Sequence, residues 1–127
     1  MDQFLTSEAM ETVIRPEHFL QEANQGDAIA QYNLGLMYRR GKVVPRDLSI
    51  AISWFLKAAD QGNTRSEFCI GVMHYLGEGV PQNDSKAAEW FLKAANKGYA
   101  DAQKNIAAHY LEGRGVPQSY ATAMDWY

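Results

Sequence analysis

The sequence repeats itself with a period of 36 residues. The run Trp-Phe-Leu-Lys-Ala-Ala begins at Trp54 and again at Trp90, and Trp126 followed by Tyr127 begins a third copy. Glycines and prolines keep the same spacing: Gly26, Gly62 and Gly98, then Pro45, Pro81 and Pro117. A period of about 20 to 50 residues is typical of proteins built from stacked copies of one small unit, each of which packs on its neighbours.

Each copy carries the pattern of two amphipathic helices. In the first full copy, apolar residues three or four positions apart predict a helix from about Ala28 to Arg40 and another from about Leu48 to Gln61. Because two helices alternate along the whole chain, the sequence predicts an all-α solenoid. The apolar stripe of the second helix leads us to expect Trp90 to be buried between adjacent repeats.

A glycine inside the first helix predicts a close helix contact. Gly35 costs about 1 kcal/mol relative to alanine in helix propensity, so a neighbouring helix should need the space. The 36-residue shift gives Gly71 and then Ala107, which are both small. We therefore expect another helix to approach the backbone at these positions.

The repeat divides a single solenoid domain into four segments. The first is an N-terminal helical cap, in which a short helix within residues 1–15 precedes the second half of a repeat that starts at Pro16. Two full repeats follow, and the third stops partway along its second helix. The four segments are residues 1–25, 26–61, 62–97 and 98–127.

Composition narrows the classes of function. The net charge of -3 and the pI near 5.5 argue against a general nucleic-acid binder, which would show a basic excess. The single cysteine, Cys69, cannot form an intramolecular disulfide. An acid follows Met1 where a signal peptide would be basic, and no apolar run approaches the ~20 residues of a membrane span. We predict a cytoplasmic protein that neither spans a membrane nor binds nucleic acid.

The sequence contains no pattern of residues that predicts catalysis. The three histidines, His18, His74 and His109, do not have the spacing of metal ligands on one helix. Cys69 and His74 are five residues apart, which places them off a common helical face. We therefore predict a protein without catalytic residues, metal or cofactor.

The recurring positions resemble those of a known family. They are Ala30, Leu34, Gly35, Tyr38, Gly41, Val44, Pro45, Ala51, Trp54, Phe55, Lys57, Ala58, Ala59 and Gly62, with two echoes further on. Over residues 16–127 this pattern closely resembles the Sel-one-like repeat family, a relative of the tetratricopeptide repeat. The resemblance implies a right-handed superhelix of antiparallel helix pairs that binds proteins or peptides without catalysis, often in bacteria. One departure is Val43, which stands where later copies have Gly79 and Gly115 and predicts a differently bent first loop.

A partner is expected on the first helices. In tetratricopeptide-like stacking the first helix of each pair lines the concave side, and residues turned away from the core face the groove. By spacing these are Ile29, Tyr32, Leu36, Arg39 and Arg40, then Arg65, Phe68, Val72, Tyr75 and Leu76, then Asp101, Lys104, Ala108, Leu111 and Glu112. All except Ile29, Asp101, Ala108 and Glu112 are predicted partner-binding residues.

Two alternatives remain for this surface. The apolar residues either bind a partner, as clustered aromatic residues do in binding hot spots, or pack against the neighbouring first helix. The arginines either pair with an acidic peptide or are simply solvated.

The leading hypothesis is therefore a protein-binding adaptor that holds a peptide or protein segment in its concave groove. The alternative is a structural module that forms homo-oligomers through its C-terminal end. There, Trp126 and Tyr127 place two aromatic residues beside a helix end without a glycine cap.

Overall fold

The structure is a computed structural model that describes residues 16–127, so the helix predicted within residues 1–15 lies outside it. All the regular secondary structure of the described residues is α-helical. The helices are α1 (Pro16–Asn24), α2 (Ala28–Arg40), α3 (Leu48–Asp60), α4 (Thr64–Leu76), α5 (Asp84–Asn96), α6 (Ala100–Glu112) and α7 (Tyr120–Trp126). The bounds predicted for α2 and α3 agree with the structure to within one residue.

Each helix packs chiefly on the helix before it and the helix after it in sequence. The helices α2 and α3 form one pair, α4 and α5 the next, and α6 and α7 a third. The helix α1 stands in the place of the second helix of a preceding pair. Packing between sequence neighbours is the defining property of a solenoid, and it confirms the predicted all-α fold of helix pairs.

A glycine reverses the chain after each second helix. Gly62 adopts a φ of 88°, its N–H donates to the carbonyl oxygen of Ala59 at 2.8 Å, and the N–H of Asn63 donates to that of Ala58 at 3.1 Å. These two bonds form a Schellman motif. The side chain of Asn63 then accepts a hydrogen bond from the N–H of Ser66 and so caps α4. One tight turn therefore ends α3 and starts α4.

The interior is a row of apolar clusters, of which the two largest lie between the second helix of one repeat and the first helix of the next. The first cluster joins α3 to α4 through Ala51, Ile52, Phe55, Ala59, Cys69, Ile70 and Met73. The second joins α5 to α6 through Ala87, Ala88, Phe91, Ala94, Ala95, Ala102 and Ile106. Burial of these side chains from water holds successive repeats together.

The expected close contact at the helix glycines is present in both complete repeats. A Cβ atom on Gly35 would lie 2.5 Å from Cε1 of Phe55, and one on Gly71 would lie 2.7 Å from Cδ1 of Phe91. Both rings are buried. The rings of α3 and α5 therefore lie directly against the backbones of α2 and α4, where only glycine leaves enough room.

The expectation that Trp90 is buried between adjacent repeats is met only in part, although its side chain packs against the cluster that joins α3 to α4. Trp90 is only partly buried, and the ammonium group of Lys93 lies 4.5 Å from the centre of its ring. Phe91 fills the interior position instead, because one residue along a helix turns the side chain by about 100°. Trp54 and Lys57 repeat this outer arrangement in the first repeat, with a distance of 4.7 Å.

The first loop bends differently from its later copies, as Val43 predicts. Gly79 and Gly115 adopt φ values of 72° and 68°. Val43 does not have a positive φ, because every residue with positive φ among residues 16–127 is a glycine. A Cβ atom on Gly79 would lie 2.7 Å from the carbonyl oxygen of Leu48, so this loop packs tightly on the start of α3. Glycine at this position therefore permits one repeat's loop to rest on the preceding repeat.

A row of polar side chains crosses the junctions between repeats. Nε2 of Gln31 donates to the carbonyl oxygen of Ala23 at 3.0 Å, and Nε2 of Gln103 donates to that of Ala95 at 3.2 Å. Glu67 occupies the equivalent position in the middle repeat, but an ionised carboxylate has no proton to donate.

One oxygen of Glu67 is left without a partner as a result. Its Oε2 accepts a hydrogen bond from Nζ of Lys97 at 2.8 Å, while its Oε1 is buried and unpaired. Gln61 and Gln31 make the corresponding contact one repeat earlier, at 2.9 Å. A buried polar atom without a partner costs about 1 to 3 kcal/mol.

Restoring the glutamine pair at this junction is expected to stabilise the protein. The double variant Glu67→Gln, Lys97→Gln recreates the Gln31 and Gln61 arrangement and gives residue 67 an N–H for the carbonyl oxygen of Ala59. We expect a free energy of unfolding about 1 kcal/mol higher than that of the parent, measured by urea denaturation followed by circular dichroism. Lys97→Gln alone should instead destabilise, because the buried carboxylate loses its counter-charge. A double variant less stable than the parent would contradict this account.

Candidate protein-binding groove

The predicted partner-binding residues lie on α2, α4 and α6 and differ in their exposure to solvent. We call the surface formed by the fifteen positions named above the groove. Arg40, Arg65, Tyr75, Leu76 and Lys104 are exposed. The others among the eleven predicted partner-binding residues are half-buried: Tyr32, Leu36, Arg39, Phe68, Val72 and Leu111.

Two aromatic residues of the groove also pack on the interior. The ring of Phe68 lies 5.6 Å from that of Phe91 and 5.1 Å from that of Tyr99, and the ring of Tyr32 lies 6.0 Å from that of Phe55. These ring contacts are with the second helix of the same repeat and with Tyr99, which precedes α6, rather than with the neighbouring first helix that the packing alternative named. The exposed apolar residues on α4 are Tyr75 and Leu76, at its C-terminal end.

A cavity of about 290 Å³ lies between α4 and α6. We call it the α4–α6 pocket. Three of the eleven predicted partner-binding residues line it: Val72, Tyr75 and Leu76. The other lining residues are not among those eleven, although Ala108 and Glu112 are groove positions. These other lining residues are Phe91, Asn105, Ala108, His109, Glu112 and Arg114.

Hydrogen bonds fix the polar rim of this pocket. Nη1 of Arg114 donates to the hydroxyl of Tyr75 at 2.7 Å, and its Nε pairs with a carboxylate oxygen of Glu112 at 2.9 Å. Nδ1 of His109 lies 2.9 Å from the carbonyl oxygen of Arg114. Because a carbonyl only accepts, Nδ1 carries the proton in this contact, and Nε2 of a neutral imidazole is left as an acceptor. The ring of His109 also packs against Tyr75 and Phe91, with centres 5.7 Å and 5.5 Å apart.

A contact at the equivalent positions joins the first and second repeats, but it is an ion pair. Nε of Arg39 pairs with Oε1 of Glu78 at 2.9 Å, and these positions lie 36 residues before Tyr75 and Arg114. In both cases the end of a first helix is held to the loop of the next repeat. The guanidinium group of Arg39 is therefore already paired.

A second cavity, of about 250 Å³, is lined in part by residues 72 positions before those of the α4–α6 pocket. It is lined by Phe19, Asn33, Leu36, Met37, Arg40, Lys42 and Val43. Phe19 and Asn33 correspond to Phe91 and Asn105 of the α4–α6 pocket. In place of the paired Glu112 and Arg114, this cavity has the two cations Arg40 and Lys42.

The titratable residues near the groove do not form a reactive centre. Burial raises the pKa of the Cys69 thiol to about 11, against the opposing charges of Arg39 and Arg40, so the thiol stays protonated at neutral pH. Burial, together with the charge of Lys86, lowers the pKa of His74 below 6.5. Across residues 16–127 no group of three or more His, Cys, Asp or Glu side chains is arranged to hold a metal ion.

The C-terminal helix exposes an apolar stripe. Tyr120, Met124 and Tyr127 are 65%, 70% and 65% exposed. They correspond to Leu48, Ile52 and Phe55 of the first repeat, which contact or belong to the cluster that α4 completes. Of the two residues predicted for an end interface, Tyr127 is exposed, while Trp126 packs partly against the second cluster. The prediction of uncovered aromatic surface is thus wrong for most of Trp126.

This geometry defines a class of protein, an all-α helical-repeat protein in which each helix packs chiefly on its sequence neighbours. The sequence pattern of the Sel1 repeat family matches residues 28–63, 67–99 and 100–127. The chain therefore belongs to the Sel1 repeat family, which confirms the resemblance seen in the sequence. Sel1 repeat proteins are generally protein-interaction scaffolds, and the family is typically non-catalytic.

Solved structures of three proteins have a similar fold. A protective antigen of uropathogenic Escherichia coli, described as displaying an SLR fold, is 41% identical over 89% of this chain, with a TM-score of 0.87. This chain spans only 24% of the length of that antigen. A Sel1 repeat protein from Oxalobacter formigenes is 30% identical over 87% of this chain and 84% of its own, with a TM-score of 0.80. The Helicobacter pylori cysteine rich protein B is 28% identical over 68% of this chain and 65% of its own, with a TM-score of 0.65.

Two further findings bear on function. No protein of curated function matches the chain. No helix within residues 16–127 has both the length and the apolar character of a membrane span.

Proposed function

We propose that this chain is a non-catalytic scaffold that holds a peptide or protein segment in the groove formed by α2, α4 and α6. The observation that carries the proposal is the α4–α6 pocket, where Tyr75 and Leu76 border a cavity of about 290 Å³. The pocket receives an apolar side chain of the bound segment. The cytoplasmic location and the absence of nucleic-acid binding stay predictions.

The size and lining of the pocket support a side chain as its occupant. Sites for whole small molecules measure about 300 to 1,000 Å³, so this pocket lies at the lower limit of that range. Val72, Phe91 and Ala108 supply apolar surface, and polar groups at the rim supply directional hydrogen bonds. Central pockets bordered by Tyr and Arg are where binding energy concentrates in protein interfaces.

The rim is also held in place before any partner arrives. The bonds from Arg114 to Tyr75 and Glu112, and from His109 to the backbone, order these side chains in the free protein. A binding site that is ordered in advance loses less conformational entropy on association.

Truncation of the two exposed pocket residues is expected to abolish partner retention. The variant Tyr75→Ala, Leu76→Ala removes the apolar border of the pocket without cutting into a buried cluster. The immobilised parent and variant are exposed to lysate of the source cell, and retained proteins are quantified by mass spectrometry. We expect at least one protein retained by the parent to fall about tenfold or more with the variant, since hot-spot residues cost about 2 kcal/mol or more.

A matched control comes from the other helix of a pair. Ile50→Ala, Leu56→Ala removes two exposed apolar side chains from α3, and this variant should retain the same protein as well as the parent does. Equal retention by all three proteins, each with unchanged circular dichroism, would contradict groove binding.

A second candidate function is end-to-end self-association, which the stripe on α7 favours. Its residues correspond to those that α4 covers in the first repeat, so a helix of similar apolar pattern fits over them. A second copy of the chain exposes the same stripe, so two copies can cover each other's stripes across a two-fold axis.

Sedimentation equilibrium tests this candidate. We expect dimers that form with increasing concentration and that disappear in the variant Met124→Ser, Tyr127→Ser, because both side chains are exposed apolar surface in the single chain. The variant Ile50→Ser, Leu56→Ser should leave the dimer intact. A parent that stays monomeric at every concentration would exclude self-association by this route.

A further inference from the structure

We propose that the segment held in the groove is acidic, with carboxylates facing Arg40 and Arg65 and an apolar side chain in the α4–α6 pocket. This inference rests on the groove binding proposed above and specifies the chemistry of the partner. It follows from which charges of the groove already have partners.

The acidic residues beside the groove arginines are already paired. Glu78 binds Arg39 at 2.9 Å, and Glu112 binds Arg114 at 2.9 Å. Arg114 is further occupied by its hydrogen bond to the hydroxyl of Tyr75. These two pairs are therefore close to neutral and contribute little to the field of the groove.

The remaining charges of the groove are mostly positive. Arg40, Arg65 and Lys104 are exposed and form no ion pair within residues 16–127. Among the groove acids, Asp101 is likewise exposed and forms no ion pair within those residues. Lys42 adds a further exposed cation beside Arg40 at the edge of the second cavity. The chain as a whole carries a net charge of -3, so this cationic excess is local rather than a consequence of composition.

The two arginines lie close to apolar groove surface. Arg40 lines the second cavity together with the apolar residues Leu36 and Val43. Burial raises the pKa of the Tyr32 hydroxyl, and the positive charges of Arg65 and Arg40 act against that rise. Tyr32 is half-buried against the first core cluster. A guanidinium group beside such a surface matches a carboxylate in two parallel hydrogen bonds, and this geometry favours arginine over lysine. Complementary charge also speeds association and selects among partners.

The length of α4 sets the spacing that the partner should have. Arg65 lies near the start of this helix and Leu76 at its end, about 16 Å apart along the axis at about 1.5 Å per residue. An extended peptide covers that distance in about five residues, at about 3.3 Å each. A carboxylate facing Arg65 should therefore lie about five residues from the apolar side chain that enters the pocket.

Selection from a random library tests this chemistry directly. The full chain is immobilised and used to select from phage that display random peptides about twelve residues long, a length that spans the groove. We expect the selected peptides to be enriched, relative to the unselected library, in a large apolar residue with Asp or Glu about five positions away.

Charge reversal then locates the contact. Arg40→Glu, Arg65→Glu is expected to weaken binding of a selected peptide about tenfold or more, measured by fluorescence anisotropy. Lys57→Glu, Lys93→Glu makes the same change in net charge at exposed positions on the second helices and should weaken binding less than about threefold. Both double variants should melt as cooperatively as the parent.

The outcomes separate this inference from the proposal on which it rests. Selected peptides without an acidic preference, or equal weakening by the two charge reversals, would overturn the acidic partner. Groove binding would still stand in that case if Tyr75→Ala, Leu76→Ala abolished binding of the same peptides. A selection that yields no related peptides would overturn groove binding, and the acidic partner with it.

Discussion

A phenylalanine ring lies against the backbone of a glycine in both complete repeats, and the rest of the structure depends on this contact. Phe55 occupies the space beside Gly35, and Phe91 the space beside Gly71, at distances that a Cβ atom would not allow. The ring brings the two helices of a pair together, and its other side completes the cluster shared with the next repeat. One residue thus sets both the spacing within a repeat and the contact between repeats, which is why the pattern extends along the chain.

The groove inherits its regularity from this packing and its chemistry from departures at single positions. The contact between a first helix and the loop of the next repeat is an ion pair between Arg39 and Glu78. One repeat later it is a hydrogen bond from Arg114 to the hydroxyl of Tyr75. The core is compatible with either contact, because these residues lie at its edge. Equivalent sites on one scaffold therefore differ in charge, and the acidic partner proposed above rests on this difference.

Repetition made much of the fold predictable, since three aligned copies show which positions are constrained. The helix bounds and the role of Gly35 and Gly71 follow from one copy read against another. The sequence did not separate Trp90 from Phe91, because adjacent residues of one apolar stripe differ only in which neighbouring helix they face. Nor did it predict the hydrogen bond between Tyr75 and Arg114 at the pocket rim, because these residues are 39 positions apart and meet only across a junction. The sequence did contain one signal for the pocket: His109 stands where the two earlier repeats have Met37 and Met73.

The measurement that tests this account most directly is the stability of Gly71→Ala. Helix propensity alone predicts that the substitution raises the free energy of unfolding by about 1 kcal/mol. We predict instead that Gly71→Ala lowers the free energy of unfolding, because the new Cβ would lie 2.7 Å from the ring of Phe91. The second substitution Phe91→Leu, made in Gly71→Ala, should cost less than it does in the parent, because the two positions are coupled. A Gly71→Ala protein more stable than the parent would contradict the claim that the ring and the glycine backbone define the repeat.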